Sequence, residues 1–218
     1  MQLARDYLAA GLFDRAEELF LKIIDEPEHR SVALTELIVI YEQTKEWEKA
    51  IIYAGKLKKL GDPKVARKCA HFYCELAIEL DAFDDVKKKN GYLKKALQQD
   101  RLCTRASILL AHLHMDLKEY KRAIEWFEHI LAQDVDFITE VLQPLKECYS
   151  ALDDEAGFIH FLNDAQSKKA GISVSIQLAE YTNNAVGSEP AEKLMHNQIV
   201  RHPTMKGFYQ LMNYHSLL

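Results

Sequence analysis

The sequence predicts an all-α solenoid of antiparallel helix pairs, and three observations carry that prediction. The apolar positions recur at helical spacing: Ala16, Leu19, Phe20 and Ile23 make one stripe, and Ala123, Trp126, Phe127 and Ile130 another. The stripes also repeat along the chain, since Tyr41 follows Tyr7 by 34 residues and Ala50 follows Ala16 by 34. Short breaks separate the periodic runs, at Gly11, at Pro27 and at Gly61–Asp62–Pro63.

A period near 34 with small and aromatic residues at these offsets is that of tetratricopeptide repeats. About six repeats are predicted, stacked as a right-handed superhelix: 1–30, 31–64, 65–103, 104–137, 138–171 and 172–205, with a partial unit at 206–218. In the first repeat Gly11 ends one helix and Asp14 stands near the start of the next. The second has Leu34, Leu37 and Tyr41 on its first helix, then Ala50, Ala54 and Leu57 on its second. The third aligns through Leu76, Ala77, Leu93 and Ala96, and Lys89 then falls in the small-residue slot, 39 residues after Ala50. Five extra residues are assigned to a longer first helix, about Val65 to Asp81, or to the loop before it, and close packing at Lys89 is doubtful. The fourth repeat restores the period, with Leu110, Ala111, Ala123 and Phe127. In the fifth, Leu145, Tyr149, Phe158 and Phe161 keep the spacing, but Pro144 is expected to kink the first helix. The sixth recovers Leu178, Ala179, Ala191 and Pro203 around a longer loop, with Ser188 as a helix cap before Pro190. The chain opens inside one hairpin and closes inside another, so both edges are read as cut.

Composition excludes several classes. Hydrophobic residues make up 48% and charged ones 28% of 218 residues, the balance of a folded, water-exposed chain. A net charge of −5 argues against broad phosphate binding. The runs at Lys56, Lys58 and Lys59 and at Lys87–Lys89 are read as solvated helix faces. Cys69, Cys74, Cys103 and Cys148 form no C-x-x-C pair and sit in apolar helical patterns, as buried free thiols do in a reducing compartment. No apolar run reaches membrane-spanning length.

Stacked first helices line a concave surface suited to a peptide or partner helix. The residues expected to face it are Thr35, Val39, Gln43, Cys74, Ile78, Arg105, Ile108, His112, Gln143 and Glu147. Their mixture of apolar, polar and acidic groups suits an amphipathic segment. The Lys, Asn and Arg clamp with which some repeat domains grip a C-terminal carboxylate is absent: Thr35, Val39, Cys74 and His112 occupy the comparable places. His71, Cys74 and Cys69, or His112 and His114, invite a metal reading, but a structural zinc site needs four converging ligands, usually as two close pairs. No P-loop, dinucleotide fingerprint, zincin or nucleophile-elbow motif occurs. The acidic pairs Glu17–Glu18, Asp84–Asp85 and Asp153–Asp154 stand near helix starts, where they complement the dipole. The function expected from residues alone is a non-enzymatic protein-binding scaffold, without cofactor in this chain.

Five runs narrow this further. RDYLAAGLFDRAEELF (5–20), EWEKAI (46–51), AHFYCELA (70–77), EYKRAIE (119–125) and RHPT (201–204) closely resemble the lipopolysaccharide assembly protein B family, in order and across nearly the whole chain. The resemblance implies an adaptor at the cytoplasmic face of the Gram-negative inner membrane. Its implied partners are the FtsH protease, the LpxC deacetylase of lipid A synthesis, and an inner-membrane lipopolysaccharide sensor that opposes it. It also implies an N-terminal transmembrane helix and a C-terminal rubredoxin-like zinc domain with two C-x-x-C pairs, neither of which matches a segment of this chain. A general peptide-binding scaffold of another bacterial pathway is the alternative, and homodimerisation of the repeats stays open.

Overall fold

The computed structural model describes residues 1–80, 85–168, 174–179 and 181, with 193, 196, 197, 200 and 212 as isolated positions. Ten α-helices are defined among these residues: α1 (Gln2–Ala9), α2 (Phe13–Ile23), α3 (Arg30–Gln43), α4 (Trp47–Lys58), α5 (Val65–Ile78), α6 (Val86–Gln99), α7 (Thr104–Asp116), α8 (Tyr120–Gln133), α9 (Ile138–Ala151) and α10 (Glu155–Ser167). Residues 174–179 are also helical. The expected Ala191, Pro203, Ser188 and Pro190 features lie outside the described residues. The chain divides into two compact halves, Met1–Leu109 and Leu110–Leu218, described separately below; the division falls within α7.

In the first half the small-residue slots fill as periodicity requires. Ala16 and Ala50 are fully buried, and Phe20, Leu37 and Tyr41 pack beside them in one apolar cluster that continues through Val65, Phe72 and Leu76. An alanine at each slot lets two helix axes approach closely, and the neighbouring ring fills the space left over. The Tyr41 hydroxyl, itself buried, donates to Glu17 Oε1 at 2.7 Å, tying α3 to α2. Burial and then the Glu17 carboxylate hold its proton far above the ordinary tyrosine range.

The second half repeats the device. Ala123 and Phe127 on α8 are fully buried, and Tyr149 on α9 donates to Glu128 Oε1 on α8 at 2.7 Å. Leu145, Phe158, Phe161, Leu162, Leu178 and Ala179 continue the buried stripe. Pro144 lies inside α9 without ending it. Its missing N–H deprives the Glu140 carbonyl of a partner, and because Glu140 is exposed, water can take that place.

Four hairpin turns share one hydrogen-bond pattern. Leu12 N–H donates to the Tyr7 carbonyl, Glu46 to Tyr41, Glu119 to His114 and Asp154 to Tyr149, at 2.8–3.0 Å. In each turn the residue before the donor is left-handed: Gly11 (φ 73°), Lys45 (59°), Lys118 (57°) and Asp153 (54°). This six-to-one closure satisfies carbonyls that the end of a helix leaves open. Glycine marks the first turn in the sequence, whereas the other three carry a side chain and bear the cost of that conformation.

The third repeat corrects the predicted register. The burial pattern of α3 (Ala33, Leu34, Ile38, Ile40 and Tyr41 buried) recurs in α5 at Cys69, Ala70, Cys74, Leu76 and Ala77, an offset of 36 rather than 39. The α4 pattern recurs in α6 at 39, through Leu93 and Ala96. Two of the five extra residues therefore enter before α5 and three after it, and α5 is no longer than α3, at 14 residues each. Lys89 does not hold α5 and α6 apart. It is half-buried, with its Nζ turned to the Leu80 carbonyl at 3.5 Å, and the two helices meet through the Tyr73 and Tyr92 rings, 6.2 Å apart.

Candidate partner-binding face

The outward positions of the first helices follow from the buried ones. In α3, Thr35 and Gln43 are exposed and Val39 is half-buried between them, one turn apart. Thr35 Oγ1 donates to the Ser31 carbonyl at 2.9 Å, a local bond that satisfies its hydroxyl within α3. In α7, His112 is exposed and Ile108 half-buried; in α9, Gln143 and Glu147 are exposed and joined at 3.2 Å.

Cys74 does not line this face. With the offset of 36 it takes the slot of Ile38, not that of Thr35, and it is fully buried. The α5 residues that correspond to Thr35, Val39 and Gln43 are His71, Glu75 and Glu79, none of them among the expected ten. AHFYCELA is apolar at most positions, so periodicity alone could not fix its phase. The missing signal was the pair of acids at 75 and 79, one turn apart. Ile78 is exposed at the edge of α5.

In the first half, ion pairs join successive first helices. Arg5 Nε reaches Glu36 Oε1 at 3.1 Å, Lys68 Nζ reaches Glu42 Oε2 at 3.4 Å, and Arg105 Nη1 reaches Glu75 Oε1 at 2.6 Å. Arg105 thus spends its guanidinium within the chain. Its Nη1 also lies 2.9 Å from His71 Nδ1, and because arginine can only donate, Nδ1 accepts and the ring proton sits on Nε2. Such partly exposed pairs contribute about 0–1 kcal/mol each, so they fix side-chain positions more than they stabilise the fold. Trp47 completes the edge: its Nε1–H donates to Glu79 Oε1 at 2.6 Å and its ring stacks on Phe72 with centroids 6.0 Å apart. Five lysines and no acid stand on α6, and Lys88 and Lys95 lie over the Tyr92 ring at 5.9 and 5.6 Å.

In the second half the His112 ring meets Phe127 edge-on at 5.7 Å, which orients the imidazole. Next to Gln143 and Glu147, Lys146 borders a cavity of about 350 Å³ lined also by Tyr149, Asp153, Glu155, Phe158 and Tyr181. Lys146 Nζ donates to Gln177 Oε1 at 3.3 Å and lies 5.6 Å from the Tyr181 ring centre. Sequence reading missed this cavity because Tyr181 is distant in sequence and belongs to no repeat-defining position.

Among the described residues, no group of three or more His, Cys, Asp or Glu side chains could hold a metal ion. The zinc ligands that the resemblance implies have no counterpart here, since the sequence contains no C-x-x-C pair. No helix of the described residues is long and apolar enough to cross a membrane.

Paired helices with buried alanine slots, repeated turns and exposed first-helix side chains define a tetratricopeptide-repeat protein. Two tetratricopeptide-repeat family models match, over residues 1–69 and 90–147. Lipopolysaccharide assembly protein B of Escherichia coli strain K12 is 41% identical over 214 residues, covering 98% of this chain and 55% of that protein. The protein of the same name from Haemophilus influenzae is 38% identical over 213 residues, covering 98% and 54%. The chain is similar to lipopolysaccharide assembly protein B over nearly its whole length, and it spans about half the length of the curated relatives it matches. Among solved structures, a crystal structure of MamA aligns with a TM-score of 0.47 at 16% identity, covering 78% of this chain and 95% of that one.

Proposed function

We propose that this chain is the partner-binding repeat region of a non-enzymatic adaptor. The adaptor brings the LpxC deacetylase to the FtsH protease at the cytoplasmic face of the inner membrane and so limits lipopolysaccharide output. The observation that carries this reading is the 41% identity to lipopolysaccharide assembly protein B across 98% of the chain. The exposed first-helix residues supply the physical means. Thr35, Val39 and Gln43 in the first half, and His112, Gln143 and Glu147 in the second, offer mixed apolar and polar contacts of the kind an amphipathic segment requires. An inner-membrane lipopolysaccharide sensor is the proposed antagonist.

Photo-crosslinking tests the reading. A crosslinking amino acid at Gln43, His112 or Gln143, in the protein expressed in Gram-negative cells, should capture LpxC or FtsH. Ala substitution at His112 and Glu147 together should slow LpxC turnover. Capture of neither partner, with unchanged LpxC half-life, overturns the proposal. A self-crosslink at these positions would assign the face to a homodimer instead.

A further inference from the structure

Two of the four cysteines are placed for chemistry with each other. Cys74 on α5 and Cys103, the residue before α7, bring their sulfurs to 4.0 Å, and both lie in the first half of the chain. Cys74 is fully buried and Cys103 half-buried, so only Cys103 meets solvent. We propose that Cys103 and Cys74 form a peroxide-responsive dithiol, in which Cys103 is the attacking sulfur and Cys74 the resolving one.

The surroundings divide the roles. Cys103 shares a hydrogen bond with Cys74 in which either sulfur can be the donor, and the Ala106 backbone N–H, which donates to the Cys103 carbonyl at 3.1 Å, stands by it in the first turn of α7, where peptide dipoles favour an anion. Together they hold the Cys103 thiol below the ordinary cysteine range, against burial and the Asp100 carboxylate, with Arg105 adding to the lowering. The hydrogen bond shared with Cys103 and then burial raise the Cys74 thiol, with Glu75 adding to the rise. Cys69 and Cys148 are buried, and burial raises both. An accessible thiolate next to a protected second thiol is the arrangement of a redox-sensing pair.

The step balances with hydrogen peroxide as the oxidant. The Cys103 thiolate attacks one peroxide oxygen, the O–O bond breaks, and hydroxide leaves as a sulfenic acid forms. The Cys74 sulfur then displaces the sulfenic oxygen, which departs as water with the Cys74 proton, and the hydroxide takes up the proton that Cys103 had lost. Two thiols and one peroxide become one disulfide and two waters. The sulfurs have about 2 Å to close, from 4.0 Å to the bond length of about 2.05 Å. The bond ties α5 to the start of α7 and encloses all of α6.

The reduced protein should be treated with stoichiometric hydrogen peroxide, its remaining thiols alkylated after denaturation, and its peptides mapped by mass. The expected product is a Cys74–Cys103 crosslinked peptide pair lighter by two hydrogens, reversed by dithiothreitol, with Cys69 and Cys148 alkylated. Cys74→Ser should stop at a Cys103 sulfenic acid trapped by dimedone, and Cys103→Ser should lower the rate of peroxide consumption at least tenfold. If Cys74→Ser does not fold, dimedone competition on the natural protein decides: it should trap Cys103 transiently and suppress the crosslink. Four free thiols after treatment, a sulfenic acid that persists in the natural protein, or a disulfide between two molecules through Cys103 overturns the proposal.

Discussion

Replacing Gly157 with alanine tests the second half of the chain at one atom. Gly157 stands in the first turn of α10, where its N–H donates to Oδ1 of Asp154, the capping residue, at 2.9 Å. A Cβ built there sits 2.7 Å from Asp154 Cγ, closer still to Oδ2, and 2.8 Å from Tyr149 Cε1. The exposed Asp154 carboxylate can swing away, at the loss of the cap, about 1 kcal/mol. Tyr149 cannot yield as easily. Its ring packs 5.6 Å from Phe158 and its hydroxyl is anchored on Glu128, so displacing it costs about 1–3 kcal/mol as overpacking does elsewhere. Against this, alanine gains roughly 0.5 kcal/mol over glycine near a helix start. The expected net loss is about 2–3 kcal/mol, or a fall of roughly 1 M in the urea midpoint. Asp154→Ala alone should cost about 1 kcal/mol, and in its background Gly157→Ala should cost about 1 kcal/mol less than in the natural chain, because the cap and its clash are already gone. A midpoint for Gly157→Ala equal to or above the natural one, or strict additivity in the double variant, would refute the geometry.

Further outcomes follow from the repeated devices. Lys45→Gly and Lys118→Gly should each raise stability by about 0.5–1 kcal/mol by relieving a left-handed lysine; Asp153→Gly should gain less, since aspartate tolerates that conformation better, and the order is read from urea midpoints. Ala123→Trp overpacks a fully buried slot and should cost a few kcal/mol, on the order of 1–3 or more; an unchanged melting midpoint rejects the slot. Tyr41→Phe leaves the ring in place and removes one bond to Glu17, for a loss of about 1 kcal/mol; Glu17 keeps Lys49 at 3.6 Å, so a loss above about 3 kcal/mol contradicts the assignment. Burial raises Cys148 from 9.0 to about 11. Because its folded value lies above the unfolded one, its contribution is complete below pH 9 and is lost as pH rises through 11. The melting midpoint should fall across that window, and less steeply in Cys148→Ala.

How much of this was legible in the sequence depends on how many independent signals marked each position. The Ala16, Ala50 and Ala123 slots were legible because a small residue and an aromatic four positions later, or a neighbouring stripe, agree on one face. The turn at Gly11 was legible because glycine names its own backbone conformation, but Lys45, Lys118 and Asp153 adopt the same conformation under side chains that do not announce it. There the six-to-one hydrogen bond and the packing on both sides impose what the local sequence does not favour. Pro144 marks an interrupted hydrogen-bond ladder without marking a helix end. Its ring removes one donor, but the affected carbonyl belongs to an exposed residue, so solvent compensates and the helix continues.

The third repeat shows why a binding face is harder to read than a core. Aligning the third repeat through Leu76 and Ala77 puts Cys74 and Ile78 on the face, but AHFYCELA offers apolar residues at nearly every phase. Burial decides otherwise: Ala70, Cys74 and Ala77 are fully buried, whereas His71 and Glu75 are half-buried and Ile78 and Glu79 exposed. A three-residue error in a helix turns the chain by about 300°, which moves a residue from one face to an adjoining one. The core survives such an error, because several neighbouring positions are apolar anyway, whereas the face changes chemistry. With Cys74 replaced by His71, Glu75 and Glu79 beside the exposed Ile78, the α5 contribution becomes largely acidic and already holds Arg105 and Trp47 in place. A partner segment meeting α5 therefore encounters carboxylates braced by internal cations, and its own positive charges must compete with Arg105 for Glu75. Arg105→Gln frees that carboxylate and should tighten a basic partner segment while leaving an acidic one unaffected or weaker, as measured by crosslinking yield at Gln43; equal yields with both kinds of segment would remove α5 from the face.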